Sequence, residues 1–213
     1  MRPNSSTVLR RAWFTLALFS LLGLVVSLLA SFVQPLKYSS TVRLLVRQDA
    51  GAAVDAYTAS RSEERIADNL TDVLYTTTFF EQVMGAGFSI NQGYFPTADV
   101  KKRREWGRTV SASVARGSGL LTVAAYHPDP HQAEQIARAV AFVLTEQAGE
   151  YASGGKIEVK IIDAPLNSKW PVKPNLVANG ISGLVLGGLI GVGYALAQAD
   201  RIRRRHQLVH EEF

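Results

Sequence analysis

Catalysis or metal binding would have to start from a handful of side chains. His127 and His131 stand four apart, the spacing at which one helix presents two imidazoles to a metal ion. Pro128 and Pro130 lie beside and between them. A proline inside a helix removes a backbone hydrogen bond and clashes with the preceding turn, so no single helix carries both histidines. His206 and His210 share the spacing without the prolines and read as part of a solvated tail. Hydrolysis of a glycan would need two converging carboxylates, which spacing alone does not reveal, and Asp129 is better explained as a helix cap. The chain has no Gly-x-x-x-x-Gly-Lys-Ser/Thr phosphate loop and no cysteine, which excludes thiol nucleophiles and thiolate metal sites. One charged cluster remains, Lys101-Lys102-Arg103-Arg104. Such a run is a solvated helix face or a contact for an anion, a lipid headgroup or a glycan phosphate. A non-catalytic protein with no cofactor and no metal is the expectation.

Two apolar stretches dominate the rest. Residues 176–199 contain no charge, and about twenty apolar residues at 1.5 Å rise cross a hydrocarbon core of roughly 30 Å. Residues 12–33 are a second such stretch, too long for a usual signal-peptide core and not followed by the small-x-small pattern of a cleavage site. Of the 23 Lys and Arg, 16 lie between Lys37 and Pro174 beside 15 acidic residues, so that middle is nearly neutral. Nucleic-acid binding would want a basic domain and is not expected. The surplus sits at the ends, in Arg2, Arg10, Arg11, Arg201, Arg203, Arg204 and Arg205. By the positive-inside rule both termini are cytoplasmic and the middle is outside. The expected organisation is a cytoplasmic N-terminus at 1–11, a first span at 12–33, an extracytoplasmic domain at 34–175, a second span at 176–199 and a cytoplasmic tail at 200–213.

Within the second span Gly183, Gly187 and Gly191 recur every fourth residue and Ala195 continues the row. A face without side chains lets two helices approach closely, so this row should meet the first span near Gly23 and Ser27, or the span of a neighbouring subunit. Ahead of it, Pro165, Pro171 and Pro174 with Lys173 form an elbow that should be extended and stiff, since proline fixes φ and cannot join the middle of a sheet.

The middle reads as strand, helix, helix, strand, strand, helix, strand. Tyr38 to Arg47 alternates, with Ser40, Val42, Leu44 and Val46 on one side. A loop at 49–59 precedes a helix opened by a capping box at Ser60 to Glu63, with Ile66, Leu70, Val73 and Leu74 as its stripe. A second box at Thr78 to Glu81 opens a short helix ended by Gly85 and Gly87. The charge run occupies 97–107. Residues 109–115 and 120–126 alternate around Arg116-Gly117-Ser118-Gly119 and predict an antiparallel hairpin. Asp129 caps the next helix, with Pro130 at its first position, Gln132 at the box position and Ala133, Ile136, Ala137, Val140, Val143 and Leu144 inward. Lys156 to Ile162 is the last strand, which should lie near the first. The economical packing is α+β: a mainly antiparallel sheet with helices on one face, flanked by two transmembrane helices.

The proline elbow, the Pro171-Val172-Lys173-Pro174 step and Gly187-Gly188-Leu189-Ile190-Gly191-Val192-Gly193 resemble the signature that closes the extracytoplasmic domain of polysaccharide co-polymerases, the Wzz-type chain-length determinants. Asp129-Pro130-His131-Gln132-Ala133-Glu134-Gln135-Ile136-Ala137 resembles a helix of the same family, although Arg138 stands where many relatives have asparagine. The resemblance covers nearly the whole chain, without room for the long helical protrusion of larger members or for a fused kinase. It implies an oligomeric bacterial inner-membrane protein that influences the chain length or export of a capsule, exopolysaccharide or O-antigen. Its implied partners are further copies of itself, a polymerase and lipid-linked glycan, and its implied packing residues include Gly188 and Gly193. A second reading is an adaptor for a separate tyrosine kinase, docked through Leu208, Val209 and Phe213 of the tail. A membrane-anchored sensor or hydrolase is the reading from another class.

Overall fold

The computed structural model describes residues 12–49, 55–151 and 156–210. The chain forms two units, Leu36–Val172 and, separately, Met1–Pro35 with Lys173–Phe213. In the first unit, four strands make one antiparallel sheet in the order β2-β3-β1-β4. They are β1 (Tyr38–Asp49), β2 (Val110–Val114), β3 (Leu120–His127) and β4 (Lys156–Asn167). Strand side chains alternate between faces, and one face is mainly apolar, with Ser40 and His127 as buried polar exceptions. Val42 stands opposite Val123 and Leu44 opposite Leu121, and all four are fully buried. Arg43 and Arg47 on the other face are exposed.

Two helices, α2 (Ala56–Leu74) and α5 (Pro130–Tyr151), pack on the sheet. Ile66, Leu70 and Leu74 of α2 and all six expected inward residues of α5 are buried. The structure is therefore the expected α+β fold, with a four-stranded antiparallel sheet and apolar helices near both ends of the chain. Two further helices, α3 (Thr77–Gly85) and α4 (Asp99–Thr109), flank a short 3₁₀ turn at Gln92–Tyr94.

Several boundaries differ from the sequence reading. Helix α2 begins at Ala56, one turn before the expected Ser60, because Asp55 accepts from the Tyr57 and Thr58 amides at 3.0 Å each and from the Thr58 hydroxyl. Ser60 is thus inside the helix, and its hydroxyl donates to the Gly117 carbonyl. Helix α3 is capped by Thr76, which accepts from the Phe79 amide, rather than by Thr78. Asp129 does cap α5, accepting from the His131 amide at 2.8 Å, but Gln132 does not complete a box. The Asp129 amide is taken by His127 Nδ1, so the Gln132 side chain accepts from the Asn91 amide and donates to the Ser89 carbonyl. The hairpin turn forms as expected around Gly117, whose φ of 69° is the left-handed conformation that glycine adopts without a Cβ clash. Strand β4 runs on to Asn167, beyond the expected end at Ile162, and so includes Pro165. It does so at the sheet edge, where a missing N–H costs no ladder bond, and the pairing with β1 shifts register between Thr41 and Leu44.

Helix α4 is held by Trp106. Its indole N–H donates to the Leu74 carbonyl at 2.8 Å, and its ring meets those of Phe80 and Phe95 edge-on at 5.2 and 6.0 Å. Trp106→Phe keeps an aromatic in place and leaves a buried carbonyl without its donor, a loss of about 1–3 kcal/mol. Trp106→Ala also empties the space and should cost about 3–5 kcal/mol. Denaturant unfolding of the full chain in detergent should rank wild type, Trp106→Phe and Trp106→Ala in that order of midpoint.

Candidate functional site

Helices α1 (Trp13–Phe32) and α6 (Leu176–His210) pack side by side in the second unit. Trp13–Phe32 and Leu176–Arg201 are each long and apolar enough to cross a membrane. Leu21, Leu22, Val26 and Leu29 on one helix and Val185, Leu189 and Ile190 on the other remain exposed, which suits contact with lipid. Their mutual face is made of small residues. A Cβ added at Gly23 would fall on the Gly183 carbonyl oxygen, one at Gly183 on the Ser27 side chain, and one at Gly187 on the Phe19 carbonyl. One at Gly191 would meet Phe19 Cβ at 3.0 Å, and Ala195 completes the buried row. Gly188 is at its flank, 2.9 Å from Ser20 Oγ by the same construction. Gly193, grouped with these residues in the sequence reading, is not on this face: a Cβ there would meet nothing within 4 Å.

Near the start of α6 the pair is also joined by hydrogen bonds. Ser27 Oγ donates to the Asn179 carbonyl at 2.6 Å, and Asn179 Nδ2 donates to Ser31 Oγ at 2.8 Å. The sequence reading missed this. The signal was there, an amide at the head of an apolar run and two serines four residues apart in the other, because polar side chains among lipid-facing helices seek partners across the contact.

In the sheet domain the structure assembles a polar cluster that no motif announces. Lys37 Nζ donates to Glu105 Oε1 of α4 at 3.1 Å, and the Tyr94 hydroxyl donates to the same oxygen at 3.1 Å. The Tyr94 ring lies 4.4 Å from the His127 ring, centroid to centroid. His127 accepts from the Asp129 amide through Nδ1, while its buried Nε2 has no protein partner. Burial by itself would lower the Lys37 ammonium, but its hydrogen bonds to Tyr94 and Glu105 outweigh that and leave it above its ordinary value. Burial would raise the Glu105 carboxyl, yet Lys37 and Tyr94 hold it below its ordinary value. Burial lowers the His127 imidazole, and the Lys37 charge acts in the same direction.

The elbow residues part company. Pro165 is in β4, whereas Ser168 to Val172 run beside the start of β1: the Ser168 amide donates to the Ser39 carbonyl and the Val172 amide to the Lys37 carbonyl, each at 2.8 Å. Pro171 lies within that tract. Lys173 and Pro174, joined by a cis peptide bond, belong to the helical unit. The charge run lies on α4, but not as one patch. Lys102 pairs with Asp99 at 3.1 Å and has its ammonium 5.9 Å from the Phe80 ring centre, whereas Lys101, Arg103 and Arg104 are exposed with no carboxylate in ion-pair reach among the described residues. Leu208 and Val209 are in α6 by backbone alone, and Phe213 lies outside the described residues. His127 and His131 do not share a helix, and no group of three or more metal-ligating side chains occurs among the described residues.

Residues 6–85 match the family described as Wzz, chain length determinant protein. The match runs through α1, β1 and α2 to the last residue of α3, so the resemblance read from the elbow and the glycine signature is met independently by the N-terminal part. No curated protein matches the chain.

The close helix contact and the polar cluster each set a measurable outcome. A Cβ at Gly188 stands close enough to Ser20 for a cysteine pair to bridge. Ser20→Cys with Gly188→Cys should oxidise readily, and adding Gly187→Leu should abolish the crosslink by forcing the backbones apart, while Gly193→Leu should leave it intact. Equal crosslinking in both would show that the close approach does not depend on the glycine.

The cluster sets an acid sensitivity. Glu105 and His127 both have folded values below their unfolded ones, so their stabilisation is complete above about pH 6.5 and is lost as pH falls, first through His127 and then, below about 4.5, through Glu105. Lys37 is raised, so its share persists at every pH below its ordinary 10.5. The unfolding midpoint should drop on acidification, and Glu105→Gln should lower the neutral-pH midpoint while shrinking only the more acidic part of the drop.

Proposed function

We propose that the chain is a non-catalytic, oligomeric inner-membrane protein that regulates the chain length or export of a surface polysaccharide, working beside a polymerase on lipid-linked repeats. The observation that carries this reading is the Wzz match over residues 6–85. The two apolar helices support it, because both have the length and the exposed apolar faces that a bilayer requires. The pairing of β1 with β4 supports it as well: a domain that begins and ends on neighbouring strands can be carried by two spans in one membrane. The arginines beyond both apolar stretches put the two termini in the cytoplasm on this reading. The exposed Ile161, Ile162 and Leu166 on the edge strand are surface that assembly into an oligomer would cover.

The test separates regulation from catalysis. Deleting the gene in its native host should broaden or shift the length distribution of one surface polysaccharide on a gel, and the wild-type chain should restore it. Purified chain incubated with the polymerised glycan should leave its length unchanged. Shortening of the glycan by the purified chain would instead establish a hydrolase, and an unaltered ladder on deletion would remove the length-control reading.

A further inference from the structure

Helix α4 turns two different faces to its surroundings. Lys102, Glu105, Trp106 and Thr109 turn toward the rest of the domain, Lys102 over the Phe80 ring, Glu105 to Lys37 and Tyr94, and Trp106 and Thr109 into the core, while the exposed Asp99 of the same helix pairs with Lys102. Val100, Lys101, Arg103, Arg104, Gly107 and Arg108 are all exposed, and at 100° per residue they form one continuous outer face. Three of its cations are without a carboxylate in reach among the described residues, and the fourth, Arg108, is only loosely paired with Glu105 at 3.7 Å. A solvated helix face usually mixes charge signs; here the one exposed acid of the helix, Asp99, stands at the edge and is paired with Lys102, and an apolar residue, Val100, lies at the centre of the face.

The position of that face within the domain matters as much as its charge. Glu105 is bonded to Lys37, and the Lys37 carbonyl receives the Val172 amide, so α4 is fastened to the end of the domain where the chain both arrives and departs. Lys37 follows Phe32, the last residue of α1, by five positions, and five extended residues reach at most ~18 Å. The same end of the domain exposes Trp170 and Leu36, at 79% and 59%. Tryptophan favours the headgroup level of a bilayer, where its ring is in an apolar layer and its N–H is in water.

We propose that the outer face of α4 docks on anionic phospholipid headgroups of the bilayer that α1 and α6 cross, with Lys101, Arg103, Arg104 and Arg108 meeting phosphate and Val100 reaching the interface. Phosphate and guanidinium match in charge and in fork geometry, and a bilayer offers many phosphates at one height to a helix lying flat. Docking would fix the orientation of the sheet domain at the membrane, through the Lys37–Glu105 pair and the Trp106 anchor.

The inference rests on the membrane reading of the two helices, and one experiment keeps the two apart. The chain has no cysteine, and a Cβ at Gly107 meets nothing within 4 Å, so Gly107→Cys gives a single, unobstructed labelling position on this face. The labelled full-length chain is reconstituted in nanodiscs of phosphatidylcholine alone or with about a third phosphatidylglycerol, each with a headgroup spin-labelled lipid as quencher. Quenching should be strong only with phosphatidylglycerol and should fall in about 1 M salt, where screening shortens the reach of charge to about 3 Å. Each cation near an anionic surface strengthens attachment roughly fivefold, so changing Lys101, Arg103 and Arg104 together to Gln should weaken docking roughly 100-fold. Equal quenching in both disc types, or quenching indifferent to the triple change, overturns the proposal. A change in label emission on adding inorganic phosphate to phosphatidylcholine discs, equal to that produced by phosphatidylglycerol, overturns it in favour of a soluble-anion site. Failure of the chain to enter discs of either kind overturns the membrane reading itself.

Discussion

The antiparallel pairing of the first and last strands is the constraint on which the domain depends. Ser40 lies opposite Asn167 and Arg47 opposite Glu158, so a stretch of more than a hundred residues is closed on itself by one ladder. The consequence is topological. Whatever the domain does, its two connections to the apolar helices leave from adjacent places, and the amide of Val172 and the carbonyl of Lys37 extend that closure past the end of the strands. The long span between pairing partners also makes this contact expensive in loop entropy, which the buried faces of α2 and α5 must offset. Those helices pack on β1 from the same apolar side, so the central strand is covered by the core that its own neighbours build.

Placing β4 at the edge resolves an apparent conflict between Pro165 and a sheet. A proline needs a position where no N–H is required, and an edge strand with shifted register supplies one. The edge is then fastened from the helix side rather than by a further strand: Asn167 donates to Glu134 at 2.6 Å, and Glu134 is bridged to Arg138 one turn on. Arg138 also lines an open cleft of about 320 Å³ with Phe88, Phe142, Ile161 and Pro165.

The helical unit rests on a different kind of force. Both helices have the length and composition to cross a membrane, and in lipid, as apolar as leucine, two such helices would gain little by hiding hydrophobic surface, so association would rely on close van der Waals contact and on polar groups that find each other. Gly183, Gly187 and Gly23 provide the first, with backbones too close to admit a Cβ; Ser27, Ser31 and Asn179 provide the second at one end. The sheet domain inverts the proportions, with apolar burial as the main term and one polar cluster inside it.

By itself the sequence determined what short-range periodicity encodes. The alternation in β1 and β3, the stripe of α5, the hairpin glycine, the two apolar stretches and the four-residue glycine row follow from how often side chains recur on a strand or a helix face. Cap positions were less legible. Asp55, Thr76 and Ser60 all have capping chemistry, and which one starts a helix depends on the competing partner that each finds, as Ser60 finds the Gly117 carbonyl across the fold. Tertiary structure alone decided the rest, because it concerned groups far apart in the chain. Lys37 meets Glu105, Tyr94 lies against His127, Gln132 ties down Ser89 and Asn91, and Lys102 leaves the basic run to lie over the Phe80 ring. Local propensity fixes which way a side chain leaves its own element, and only packing fixes what is waiting there.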